Sequence, residues 1–286
     1  MSISRKVACG LIAAGAPLAT SGALALALAS SSSATTSSAT PPVLTIKMNG
    51  SSIQVGGQQV SGAVDVRSTV SGESHGTAIL VRLNKGVTQS QFLKALQMAG
   101  KDPNAVQLFG AIVFDYTTPK GKTTNVDTVL QPAKYVALDV AGKGQPRFTQ
   151  FTVTKSSSPA KLPAAAATTK SIEFGFRGSS TLKNKTVVRS INEGWLVHMN
   201  DFMGVKSRKD GLKLVAGLRA GKSFKVLHKY LNSSFFELFG PVSHGAVQQQ
   251  VLKAKPGYYV EACFMNTQDG REHTQLGMER LVKVVK

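Results

Sequence analysis

The chain has 286 residues, 42% hydrophobic and 17% charged, which excludes disorder throughout and suffices for one large or two medium domains. It carries 34 Lys and Arg against 15 Asp and Glu, a formal charge of +19. The basic residues are spread along the chain without interleaved aromatics, which argues against nucleic acid as a partner. It favours a solvated surface that adheres to anionic cell-envelope polymers by a salt-screened attraction.

The N-terminus has Arg5 and Lys6, then an uncharged apolar run, then Ala27-Leu28-Ala29 before Ser30, the pattern of an export signal over residues 1–29. Gly10, Gly15, Pro17 and Gly22 interrupt the run, so the expectation is a cleaved leader and no transmembrane anchor afterwards. The expected location is the cell exterior, released or retained at the envelope. Residues 30–42, rich in Ser, Thr and Ala, read as a disordered tether, and 154–170, with Pro159, Pro163 and mostly small residues, as a linker. Two blocks remain, 43–153 and 171–286.

In the first block VLTIKM reads as a strand. A helix follows over Thr88–Leu96, where Thr88 can cap and Phe92, Leu93 and Leu96 share a face, and FTQFTVT reads as a closing strand. In the second block SIEFGF reads as a strand, KSFKVLHKYL (222–231) as the helical insertion and ERLVKVV as the last strand. Short strands between turn signals predict an all-β sandwich architecture. Landmarks recur in order. Leu108-Phe109-Gly110 returns as Leu238-Phe239-Gly240, and the run from Pro132 through Tyr135 to Asp139 returns as Pro256 through Tyr259 to Cys263.

The chain has two cysteines, and Cys9 lies within the leader. Cleavage leaves Cys263 as the one thiol in an oxidising compartment, where it is an inert buried group, an intermolecular bridge or a metal ligand. His273 and Met278 follow it, and His198 precedes it. Together His198, Cys263, His273 and Met278 supply two imidazoles, a thiolate and a thioether, the donor set of a type 1 copper site. Nine residues separate Cys263 from His273, so gathering these ligands costs more chain entropy than a short loop would. In the first block Asp139 stands where Cys263 does and no histidine or methionine follows it. His75 alone cannot hold copper. His228 is expected to face solvent, and His244 to lie in a turn.

The second block resembles the cupredoxin-like domains of exported bacterial proteins. The residues that carry the likeness are Pro256-Gly257-Tyr258-Tyr259, Cys263, Asp269-Gly270-Arg271-Glu272-His273 and Gly277-Met278. It extends back through His198 and more faintly over the first block. The resemblance implies two tandem Greek-key β-sandwich domains, each with a short helical insertion, and one copper ion in the second. His198, Cys263 and His273 would be its equatorial ligands and Met278 its axial one. The five histidines include no His-x-His pair, and no hydrolase or phosphate-binding motif occurs, so no enzyme activity is expected. The expected role is electron transfer or copper handling with a redox or copper-exchange protein. The alternative is a basic, metal-free surface-binding or structural protein built from the same sandwiches.

Overall fold

The structure, a computed structural model, describes residues 40–98, 103–141 and 146–286. The expected export signal and most of the tether lie outside the described residues. No helix among the described residues is long and apolar enough to cross a membrane. From Thr40 onward the described chain belongs to one compact, mostly β unit.

The first half contains β1 (Val43–Met48), β2 (Ile53–Gly57), β3 (Gly62–Val70), β4 (His75–Leu83), α1 (Gln89–Met98), a 3-10 turn (Pro103–Leu108), β5 (Gly110–Pro119), β6 (Thr123–Leu130), β7 (Ala133–Asp139) and β8 (Arg147–Val153). The second contains β9 (Ala167–Ile172), β10 (Gly175–Gly178), β11 (Thr181–Lys183), β12 (Val187–Asn192), β13 (His198–Val205), α2 (Arg208–Arg219), α3 (Phe224–Leu227), a 3-10 turn (His228–Tyr230), β14 (Leu231–Val242), β15 (Val247–Val251), β16 (Gly257–Ala262), a 3-10 turn (His273–Leu276) and β17 (Glu279–Val285).

The strands form three sheets. One has the order β5-β4-β7-β8, another β11-β17-β16-β13-β14, and the eight-stranded third runs β10-β9-β12-β15-β6-β3-β1-β2. Alternation sorts the faces, as in β1, where Leu44, Ile46 and Met48 turn into the core while Val43, Thr45 and Lys47 do not. Leu44, Ile46, Val64, Leu80 and Phe114 form the core of the first half, and Val188, Phe202, Leu238 and Val282 that of the second. Two buried tyrosines hold matching places, Tyr135 donating to the Gln131 carbonyl at 3.0 Å and Tyr259 to the Lys255 carbonyl at 2.8 Å.

The expectation of two separate sandwiches joined by a linker differs from this arrangement in two respects. The eight-stranded sheet runs through both halves, because β6 and β15 pair at Thr128–Gln248 and Asp127–Gln249. The expected linker is laid against both halves. Ala63 N–H donates to the Ala160 carbonyl at 2.9 Å, and the Pro163 carbonyl accepts from Arg189 at 2.8 Å and from Gln249 at 3.1 Å. Its last residues open β9.

Strands β1, β8 and β17 fall where the sequence places them, and Thr88 caps α1, its Oγ1 accepting from Gln91 N–H at 3.2 Å. Two elements differ. SIEFGF is a hairpin rather than one strand, broken where Phe174 takes a positive φ of 54°. The helix expected over 222–231 shrinks to α3 and the 3-10 turn after it, and the main helix of the second half is α2. Its N-terminus is capped by Ser207, whose side chain accepts from Asp210 N–H, but Gly211 and Gly217 in its interior disguise it as a loop. Packing explains both glycines: a Cβ would lie 2.3 Å from Leu281 Cδ1 at position 211 and 2.3 Å from Leu227 Cδ2 at position 217. Gly217→Val is therefore expected to destabilise the chain by about 1–3 kcal/mol through overpacking, read as a lower urea midpoint with an unchanged slope.

Candidate metal centre

Three strand ends meet at one pole of the second half. His198 opens β13, Cys263 directly follows β16, and His273 opens the 3-10 turn before β17. All three side chains are fully buried, as is Met278. The turn before His198 is tied down by Asn192, whose amide donates to the Leu196 carbonyl at 2.9 Å and the Val242 carbonyl at 2.8 Å and accepts from Gly194 N–H at 2.9 Å. Gly194 must be a glycine here, since a Cβ would sit 2.5 Å from His198 Nε2.

The long loop after Cys263 is shortened by a side hairpin. Asn266 and Glu272 form a β-bridge around a turn in which Gly270 N–H donates to the Thr267 carbonyl at 2.9 Å. His273 N–H then donates to the Met265 carbonyl at 2.8 Å, so the chain returns two residues beyond the cysteine. The nine-residue gap therefore behaves as a short ligand loop with a closed excursion. Cys263 N–H donates to the Met278 carbonyl at 3.2 Å, and Met278 N–H to the His273 carbonyl at 3.0 Å, which fixes Met278 beside both.

The donor atoms converge. Nδ1 of His198 and Nδ1 of His273 are 3.1 Å apart, and Cys263 Sγ lies 3.4 Å from the His273 nitrogen and 3.8 Å from the His198 nitrogen. The point equidistant from these three atoms is about 2 Å from each, close to the length of a first-row metal bond to imidazole or thiolate. The residues present therefore fit a metal ion. Among the described residues this is the one group of three or more His, Cys, Asp and Glu side chains close enough to hold one.

The surroundings keep every donor neutral. Burial, with His273 beside it, lowers the His198 pKa to about 3, and burial likewise lowers that of His273. Burial pushes the Cys263 thiol up to about 12 despite Met199 N–H, which donates to Sγ at 3.4 Å. Both imidazoles thus offer free lone pairs at neutral pH, while a metal binding the thiolate must displace its proton. The Nε2 atoms of both histidines are buried without a hydrogen-bond partner, the Glu173 carboxylate standing 3.8 Å from that of His198.

The equivalent pole of the first half is held by an ion pair. The Asp139 carboxylate accepts from Thr77 N–H at 3.1 Å and pairs with Arg147 at 2.7 Å, and Arg147 also reaches Glu73 at 3.0 Å. His75 is exposed, its Nδ1 2.9 Å from Ser74 Oγ. His228 is exposed on its helical turn, and His244 lies in a turn, stacked on Trp195 with ring centroids 4.8 Å apart. Sequence reasoning missed what the first half adds to the site. Asn104, in the turn after α1, accepts from Val197 N–H at 2.7 Å, immediately before His198.

No protein-family model matches the sequence, and no curated protein matches it. Among solved structures the chain is similar to auracyanin B, at 14% identity over 44% of this chain and 93% of that one, with a TM-score of 0.27. It is similar to the auracyanin of Roseiflexus castenholzii, at 13% identity over 43% and 100% of the two chains and a TM-score of 0.26. A Cu-containing nitrite reductase from Thermus scotoductus SA-01 shares 10% identity over 85% of this chain and 68% of its own, with a TM-score of 0.25.

The neutral imidazoles give the metal-free chain a pH signature. An unfolded histidine titrates near about 6.5. Between there and about 3 the unfolded chain binds a proton that folded His198 refuses. That contribution to stability is complete above about pH 6.5 and declines as the pH falls, by up to about 1.4 kcal/mol per unit. Buried carboxyls with raised pKa values, such as Asp201, act with the opposite sign, so the comparison must be with a variant. Urea unfolding at pH 7, 6, 5 and 4 should show the metal-free wild type losing more stability than His198→Asn. Parallel curves would count against a buried neutral imidazole.

Proposed function

We propose that the second half is a type 1 copper centre and that the chain is an exported electron carrier or copper-handling protein rather than an enzyme. The observation that carries this reading is the buried triangle of two imidazole nitrogens and one sulfur, drawn from elements 65 and 10 residues apart. Core packing alone has no need to bring these three groups together, and burying their polar atoms without partners is costly. Copper so held would cycle between Cu(I) and Cu(II). His198 and His273 would bind through Nδ1 and Cys263 through Sγ, with Met278 the weak axial donor. Met199 N–H would hold the sulfur in place, and burial would exclude water.

In this reading the two halves are tandem Greek-key sandwiches of one cupredoxin-like plan. The support is their strand order, β2-β1-β3-β6 with β5-β4-β7-β8 in one half and β10-β9-β12-β15 with β14-β13-β16-β17 in the other. The first half, with Asp139 and Arg147 at its pole, has a structural or docking role. A redox or copper-exchange protein is the proposed partner, for which exposed Trp195, next to the Gly194 that packs on His198, offers an apolar contact. The excess of basic residues suits retention on anionic envelope polymers after export.

Titration of the chain with Cu(II) tests the reading. One equivalent should be taken up with an intense visible charge-transfer band. Cys263→Ser should abolish the band, and Met278→Leu should retain it with a changed position and potential. No uptake at stoichiometric copper removes the proposal and leaves the metal-free surface protein.

A further inference from the structure

An open cavity of about 450 Å³ lies between the two halves, against the outer face of the β5-β4-β7-β8 sheet, α1 and the edge of β14. Its wall is largely apolar, with Ile79, Val81, Phe92, Leu96 and Leu138, and it reaches the surface beside Val140, which is 43% exposed. Into this wall are set two acidic residues, Asp115 of β5 and Glu237 of β14, and no Lys, Arg or His lines it among the described residues. Asp115 is only 3% exposed, and among the described residues nothing donates a hydrogen bond to its carboxyl group. That carboxyl packs on Gly240, where a Cβ would lie 2.4 Å from Oδ1, so the glycine keeps room for it at the cavity wall. Glu237 is oriented by Thr117 N–H, which donates to Oε1 at 2.8 Å.

We infer that this cavity binds an organic ammonium ion, its charge against the Asp115 and Glu237 carboxylates and its apolar body against the β4 and α1 side chains. An isolated buried carboxylate is costly, and two that line one cavity without a basic residue are more so. Burial, with Glu237 and Asp201 close by, accordingly holds the Asp115 pKa well above the usual carboxylate range. A cation supplies the missing counter-charge. The lining selects which kind: a hydrated metal ion wants several oxygen ligands, whereas this site offers two carboxyls in a hydrocarbon wall. Met199 and Met265 also line the cavity, so an occupant would rest against the segment that holds Cys263.

The inference does not depend on copper and is tested on the copper-free chain. Benzylammonium and its neutral counterpart benzyl alcohol serve as probes, with binding followed by calorimetry and by protein NMR. Benzylammonium should bind about tenfold more tightly or better, the advantage of a charge-assisted hydrogen bond. Asp115→Asn keeps the shape of the site and should remove that advantage while leaving benzyl alcohol affinity within about threefold. If that variant does not fold, Glu237→Gln, whose amide oxygen can still accept from Thr117, should show the same selective loss. Equal binding of the two probes, unchanged benzylammonium affinity in the variant that folds, or displacement of benzylammonium by stoichiometric calcium would each overturn the inference.

Discussion

Two unpaired strand edges, buried against each other, set the terms for the rest of the molecule. Strands β5 and β14 each end a sheet, and an edge strand carries a row of unsatisfied amides that must find partners once covered. Side chains from the second half supply them. Thr117 N–H donates to Glu237, Asp115 N–H to Gln248 and Ile112 N–H to Ser243, at 2.8, 2.8 and 3.0 Å. A backbone ladder would have drawn the strands to the usual spacing of about 4.8 Å. Side-chain acceptors hold them farther apart, and acidic groups are buried as a result. The cavity between the halves opens beside this seam.

The same seam reaches the candidate metal centre. Strand β14 pairs on its other side with β13, whose first residue His198 lies opposite Val242, and the next residue, Ser243, is locked to Ile112 in both directions. Asn104 adds a second tie one residue before His198. The first half therefore bears directly on the placement of His198. Cys263 and His273 are placed instead by elements of the second half alone, through β16 and the hairpin excursion.

How much of this the sequence reveals follows from what each signal encodes. Alternating apolar residues report which face of a strand is buried, so β1, β8 and β17 were legible, and the Thr88 cap marked α1. Periodicity says nothing of what lies along a strand's edge, and the β5–β14 seam was invisible for that reason. Helix α2 was hidden because Gly211 and Gly217, placed by contact with Leu281 and Leu227, carry the signature of a loop. The turn at Phe174 escaped notice because a left-handed phenylalanine has no sequence mark. The cluster of His198, Cys263 and His273 was legible for the opposite reason. Cysteine and histidine are scarce in this chain, so their ordered spacing carried information that abundant residue types cannot.

The contrast between the two poles shows why such scarcity carries information. At both poles a side chain at the end of a central strand must be satisfied inside the protein. Asp139 meets this with Arg147 and Thr77 N–H, an ion pair built from common residues in which only Arg147 Nε is left buried without a partner. The second pole instead leaves two Nε2 atoms buried without partners and sets two imidazole nitrogens 3.1 Å apart beside a thiol. The first half places an ion pair at the corresponding end of a sheet with the same strand order. In the reading proposed above, this arrangement is organised around a ligand, and two imidazoles beside a thiol suit a soft or borderline metal ion.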